Sequence, residues 1–241
     1  MSRLDDTYAG KRLVDLVIAS AALAVAAPVI AATALLTRLT LGRPIMFRQR
    51  RLGLHGVEFD VLKLRTMSDE RGPDGELLPD DARLGRVGRI IRASSLDELP
   101  QLWNVIRGEM SIVGPRPLPV QYRERYTFEQ SKRMRVPPGI TGLAQVRGRN
   151  TSDWDTRLAT DVEYARRCSL ALDLTIIART VPTVLLRRGV SADGHATMPE
   201  FRPDRSPGGG AGCLTPGVTV RGRSCTERTS FRRCPWRMTA Q

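Results

Sequence analysis

Residues 16–36, LVIASAALAVAAPVIAATALL, carry no charge. At 1.5 Å per residue, about 20 such residues are enough to cross the apolar core of a bilayer. A chain with this stretch must either bury it completely or give it to lipid. The run is too long for the core of a signal peptide, and no clear cleavage region follows it. Pro28 lies near its centre and removes a backbone donor there, which kinks a helix. Ala26 and Ala27 beside it leave room for a bend. Both flanks are basic: Lys11 and Arg12 before, and Arg38, Arg43, Arg48, Arg50 and Arg51 after. Positive charge marks the cytoplasmic side of a membrane segment, and here both ends carry it. A re-entrant helix that enters, bends at Pro28 and returns satisfies both ends. A straight spanning helix and a buried helix of a soluble domain are the alternatives.

The rest of the 241 residues suits one globular domain with appendages. The net charge of +13 is carried almost wholly by arginine, since only Lys11, Lys63 and Lys132 are lysines. The guanidinium fork matches phosphate oxygens, so a phosphate-rich partner fits; compositional bias toward arginine explains the total equally well. Cys168 stands apart from Cys213, Cys225 and Cys234, and His55 is far from His195. That leaves no metal-ligand spacing for zinc and no basis for a Ser-His-Asp triad. No phosphate-binding glycine loop occurs either. Any catalysis falls to carboxylates and arginines.

Past the apolar run, PIMFRQRRLG and EFDVLKLRTM alternate apolar and polar residues around Gly53 and Gly56, and predict two short strands. Residues 68–81 read as a polar surface loop, 82–92 as a helix with basic residues along one side, and DELPQLWNVIRG as a short helix. SIVGPRPLP cannot be helical, because its prolines fix an extended loop. Residues 119–134 predict a helix ended by Pro137-Pro138-Gly139, and two more helices follow at DWDTRLATDVEYARRC and at 170–188. The last is amphipathic, with Pro182 inside and Arg187 and Arg188 at its end; it reads either as an interfacial helix on anionic lipid or as a core helix with a dipole-matched end. Residues 203–241, with seven arginines against two acids, lose all periodicity and predict a disordered basic tail.

The stretch SSLDELPQLWNVIRGEMSIVGPRP, residues 94–117, sets Asp97 and Glu98 side by side among arginines. Ser95 to Glu98 fits a capping box, with Ser95 as N-cap and Asp97 in the first turn. A second reading needs a phosphate. Arg92 lies upstream and Arg116 sits between Pro115 and Pro117. A carboxylate attacks phosphorus covalently once a divalent cation or arginine has neutralised charge. Mg²⁺ suits that task, taking one or two carboxylates plus phosphate oxygens.

This stretch resembles the signature of the bacterial sugar transferase family, the small monotopic phosphoglycosyl transferases. RPIMFRQRRLG, FDVLKLRTMSDE, RVPPGITGLAQVRGRN and DLTIIARTV resemble further family blocks in the same order, covering about residues 10–202. The resemblance implies transfer of a phosphosugar from a UDP-sugar to a polyprenyl phosphate, undecaprenyl phosphate being expected, with release of UMP. It makes Asp97 the nucleophile and Mg²⁺ ligand, Glu98 a supporting acid/base, Arg92 and Arg116 the phosphate-binding residues, and Pro28 the break of a re-entrant helix. Where the family usually carries a small hydroxyl residue before that proline, Ala27 stands here. TMSDERGPDGELLPDD and GVSADGHATMPEF are similar to short members that begin glycan assembly, some on an N-acetylated diamino sugar.

The expected fold is α+β and mainly helical. It divides into an N-terminal segment (1–10), a re-entrant helix (11–40), a catalytic domain with a short β element on the cytoplasmic face of the bacterial inner membrane (41–202), and the tail (203–241). A Mg²⁺-dependent phosphohydrolase and a membrane-tethered nucleic-acid binder are the competing classes. The second has no recognition motif, and with 5% aromatic residues no stacking platform, so no nucleic-acid partner is expected.

Overall fold

The computed structural model describes residues 7–148, 153–185 and 201. The basic tail, Arg187 and Arg188 lie outside the described residues, as does most of the segment before Lys11.

The apolar run forms α1, Lys11–Leu41. Gly10 and Gly42, both at positive φ, bound it, in a conformation that glycine adopts without steric cost. Pro28 lies inside this helix, which runs on to Leu41. The Thr33 and Thr40 hydroxyls donate to carbonyls one turn back, so they need no water. Among the described residues one helix, α1, of mean hydropathy 2.3, is long and apolar enough to cross a membrane.

Its large apolar residues Leu13, Val17, Val25, Leu35 and Leu39 are exposed, while Lys11, Asp15, Ala19, Thr33 and Thr37 are buried. Both ends are fastened to the same body. At the start, Lys11 Nζ donates to Asp173 (2.6 Å) and to the Val113 carbonyl (3.1 Å). Asp15 accepts from Ser111 Oγ and the Ile112 amide, each at 3.0 Å. At the finish, Arg65 donates to the carbonyls of Leu41 (2.5 Å) and Arg43 (3.1 Å).

The body begins with the predicted hairpin. β1 (Met46–Leu52) and β2 (Glu58–Leu64) pair antiparallel, Met46 opposite Leu64 and Leu52 opposite Glu58. The turn uses His55 and Gly56 at positive φ. Two short helices, α2 (Asp80–Arg83) and α3 (Arg86–Ala93), replace the single predicted one; Leu84-Gly85 interrupts it. A 3-10 turn (Leu96–Glu98) leads to α4 (Gln101–Arg107). Asn104 on α4 stitches it to β2, accepting from the Leu62 amide (3.1 Å) and donating to the Asp60 carbonyl (2.8 Å). Ala19 of α1, Val61, Leu102, Val105 and Met110 close the core between these elements.

Next come β3 (Ser111–Val113) and β4 (Gly139–Thr141), a short parallel pair not foreseen from sequence. Between them, the helix expected at 119–134 is instead two 3-10 segments (Val120–Arg125, Lys132–Arg135) around α5, Phe128–Ser131. The extended backbone of Tyr126 and Thr127 breaks it, and a capping box between Thr127 and Gln130 restarts it. The last described elements are α6 (Leu143–Gly148), α7 (Trp154–Arg167) and α8 (Leu170–Leu185). Val113, Val136, Leu143, Tyr164, Ala165 and Ile176 form a second core. α8 buries Asp173 and Ile176 there while Leu170 and Leu174 stay exposed, so it has both a core face and an apolar outer face.

β3 and β4 approach so closely that Gly114 meets backbone directly. A Cβ there would lie 2.3 Å from the Pro137 carbonyl oxygen and 2.8 Å from the Gly139 amide. Neither atom belongs to a flexible side chain. Gly114→Ala is expected to lower stability by about 1–3 kcal/mol, the usual cost of overpacking; a denaturant midpoint unchanged from wild type would contradict the packing.

Candidate active site

Three segments converge on the acid pair. Chain reversal after α3 needs Ser95 at φ 58°, a left-handed backbone that costs a non-glycine residue roughly 1–2 kcal/mol. Ser95 caps nothing with its side chain, so the predicted capping box is not formed. Its carbonyl instead accepts the Glu98 amide at 3.2 Å, and the Glu98 carboxylate turns away from the helix start.

Glu98 reaches two cations. Lys63 Nζ donates to its Oε1 at 2.7 Å, and Arg116 Nη2 donates to the same oxygen at 2.6 Å. Lys63 alternates with Phe59 and Val61 on β2, so the strand's inward face ends in an ammonium group. Burial alone would raise the Glu98 pKa, but Arg116 and Lys63 together hold the carboxyl well below the usual carboxylate range. Reciprocally, Glu98 keeps the Arg116 guanidinium charged.

Asp97 is placed differently. It is 7% exposed, and among the described residues no hydrogen bond or ion pair is made to its carboxylate. Burial, and then the charge of Glu98, push its pKa up to about 6, against the pull of Lys63, Arg92 and Arg116. Two adjacent acids are thus driven in opposite directions, an arrangement that separates roles in active sites. Arg92 is aimed by its Nε, which donates to Thr66 Oγ1 at 2.8 Å. Gly88 permits that docking, because a Cβ there would lie 2.1 Å from the Thr66 carbonyl oxygen.

Asp97, Glu98, Arg92 and Arg116 therefore come together, with Arg92 and Arg116 close enough to Asp97 to act on its charge. Pro28 is not part of this group; it sits exposed within α1. Lys63 was missed in the sequence, although an inward-facing lysine on a strand of otherwise apolar inward positions was the available signal. Among the described residues there is no group of three or more histidines, cysteines or acids that could hold a metal by themselves. A buried carboxylate without a partner does fit a cation that draws its remaining ligands from phosphate oxygens and water.

The bacterial sugar transferase family model matches residues 6–187. The chain belongs to the bacterial sugar transferases. This sugar transferase is 47% identical over 191 residues to the uncharacterized sugar transferase EpsL of Bacillus subtilis, covering 79% of this chain and 95% of that one. It is 45% identical over 185 residues to the UDP-glucose:undecaprenyl-phosphate glucose-1-phosphate transferase of Caulobacter vibrioides, covering 73% and 69%. Identity to the UDP-galactose-lipid carrier transferase of Erwinia amylovora is 37% over 196 residues, 74% of this chain and 41% of that longer one.

The raised Asp97 pKa ties this site to stability. Between the unfolded value of 3.8 and about 6 the folded sugar transferase binds the extra proton. The stability this contributes is present below pH 4 and is lost as pH rises through 6. Asp97→Asn removes a carboxylate that is costly to ionise, so in EDTA the variant is expected to be more stable than wild type at pH 8. The gain is up to about 3 kcal/mol and vanishes near pH 4. Unfolding curves at the two pH values check it; equal stabilities at pH 8 would mean that Asp97 is partnered.

Proposed function

We propose that this chain transfers a phosphosugar from a UDP-sugar to a polyprenyl phosphate and releases UMP, by way of a covalent phosphosugar-Asp97 intermediate. The observation that carries this reading is the unpartnered, buried Asp97 carboxylate beside a Glu98 that is fully engaged by cations. An Asp97 oxygen attacks the sugar-bearing phosphorus of the UDP-sugar. The bond from that phosphorus to the bridging oxygen breaks, and UMP leaves with the electron pair. A phosphate oxygen of the polyprenyl phosphate then attacks the same phosphorus, and the Asp97 carboxylate is released unchanged. With a pKa near 6, Asp97 is mostly ionised at pH 7 yet not stabilised by any fixed cation contact.

Arg116 and Arg92 meet the negative charge of the diphosphate, with Lys63 adding to their field. Glu98 keeps Lys63 and Arg116 side by side and facing the substrate. Arg116 and Lys63 hold its carboxyl below the usual carboxylate range, and it serves here as their anchor, beside the acid/base role that the family resemblance implies. Mg²⁺ would be held by Asp97 and by substrate oxygens, and supplies charge neutralisation at the phosphates when bound.

The relatives named for UDP-glucose and UDP-galactose put these two donors first for testing, ahead of an N-acetylated diamino sugar. Enzyme quenched with the matching UDP-sugar and Mg²⁺, but without lipid, is expected to show a phosphosugar adduct on the peptide containing Asp97. Polyprenyl phosphate should discharge it, and Asp97→Asn should form none. An active Asp97→Asn enzyme, or an adduct on another peptide, would refute the assignment. Free sugar phosphate in place of a lipid-linked diphosphosugar would turn the reading to a phosphohydrolase.

The same reading places α1 in one leaflet of the bacterial inner membrane, entering from and returning to the cytoplasmic face. Its support is that both ends of α1 bond to one body, whereas a straight helix of 31 residues spans about 46 Å and would carry its ends to opposite sides of a core of about 30 Å. Exposed Arg38, Arg43, Arg48 and Arg50 border its far end and favour anionic headgroups. Labelling of cysteines placed at Ser2 and Arg43 in intact cells should require permeabilisation in both cases. A periplasmic signal from either would overturn the re-entrant topology.

A further inference from the structure

The loop Gly114-Pro115-Arg116-Pro117 has few donors of its own, because each proline lacks an N–H. Its prolines fix two φ angles and hold the backbone of Arg116, which precedes Pro117, extended, but they satisfy none of its carbonyls. Four successive carbonyls in this region are nevertheless each capped from outside. The Pro115 carbonyl accepts the Gly139 amide at 3.0 Å, and the Leu118 carbonyl accepts the Leu52 amide at 3.0 Å. The two between them accept from arginine side chains. Arg133 Nη2 donates to the Arg116 carbonyl at 2.6 Å, and Arg51 Nη1 donates to the Pro117 carbonyl at 3.1 Å.

These two guanidiniums come from separate elements, Arg51 from β1 and Arg133 from the 3-10 segment after α5. Neither is free to swing. Arg133 is 3% exposed and is held by Asp161 of α7 through Nε (3.0 Å) and Nη2 (2.7 Å). Arg51 spends its other branch on Gln49 Oε1 at 2.5 Å. Burial, and then the nearby charge of Arg116, lower the Arg51 pKa to about 10, so this clamp stands within the field of the residue it holds.

We propose that Arg133, with Asp161 behind it, and Arg51 are positioning residues for Arg116: they clamp consecutive carbonyls of its loop and so hold its guanidinium on Glu98 and toward the substrate phosphate. The proposal rests on the transferase reading for what Arg116 does, and its own content is the mechanical link. Arg133 touches no substrate and acts only through Arg116.

The link is tested by a double-mutant cycle, which isolates coupling between two residues. Arg133→Lys keeps the charge facing Asp161 but loses the planar fork that serves Asp161 and the Arg116 carbonyl together. With the UDP-sugar that wild type turns over, kcat/KM for UMP release is expected to fall at least about tenfold. In an Arg116→Lys background the same change should cost less than about threefold. Losses that multiply in full would show that Arg133 acts only on general stability, and an unchanged kcat/KM in folded Arg133→Lys would equally overturn the clamp. Should Arg133→Lys fail to fold, Arg51→Lys takes its place in the cycle with the same two thresholds. A parallel cycle on UMP binding by calorimetry needs no turnover. Absence of UMP release by wild type with every donor would count against the transferase reading alone, and the calorimetric cycle would still decide the clamp.

Discussion

Glu98 is the point through which the site is assembled. Its carboxylate joins β2 through Lys63 and the loop after β3 through Arg116, two segments that share no strand pairing with each other. A single carboxylate between two cations, largely shielded from water, is a strong contact whose loss leaves like charges facing each other. The same contact sets the chemistry of its neighbour. By absorbing the cations, Glu98 leaves Asp97 buried with no counter-charge in contact, and its own negative charge raises the Asp97 pKa further. The side-chain lengths suit this division. Glutamate, one methylene longer, reaches out to the two partners, while aspartate stays close to the backbone of a 3-10 turn.

A second constraint acts on the placement of α1. Asp15 of α1 bonds Ser111 and Ile112 of β3, and Lys11 bonds the carbonyl of Val113. Gly114 to Pro117 follow directly in the chain. The first turns of α1 are therefore bonded to the strand that runs directly into the loop carrying Arg116. At the other end, Arg65 grips Leu41 and Arg43 only two residues along the chain from Lys63. The apolar helix is thus bonded next to both cations that hold Glu98.

Much of this was legible in the sequence wherever it rests on local pattern. The uncharged run, the alternation of the two hairpin strands and the helix at DWDTRLATDVEYARRC each announce themselves, because short-range sterics and one buried face decide them. The acid pair and its two arginines were legible as a cluster of charge types. What the sequence hid is long-range. Lys63 lies 35 residues from Glu98, and Asp161 lies 28 residues from Arg133; no periodicity connects them. The β3–β4 pair has only three residues per strand and is set by glycine-on-glycine backbone contact. The misread elements are equally instructive. Ser95 to Glu98 has the residues of a capping box, but a glutamate offered two cations gains more from them than from one backbone amide, and the local motif yields to the tertiary one.

The Arg116 loop shows the same competition in reverse. Two prolines restrict its backbone, yet they also strip it of donors and leave its carbonyls to be satisfied from elsewhere. That need explains why Arg133 is buried against it and Arg51 half-buried beside it. A neutral donor would cap a carbonyl as well, but a guanidinium has spare branches: Arg133 uses them on Asp161 and Arg51 on Gln49. Each carbonyl cap is thereby tied to a separate element of the fold, α7 in one case and β1 in the other. A lysine in either place would present a single point of charge on a flexible stem. The preference for arginine over lysine throughout this chain, which composition alone leaves ambiguous, has at buried Arg133 and half-buried Arg51 a geometric cause independent of phosphate.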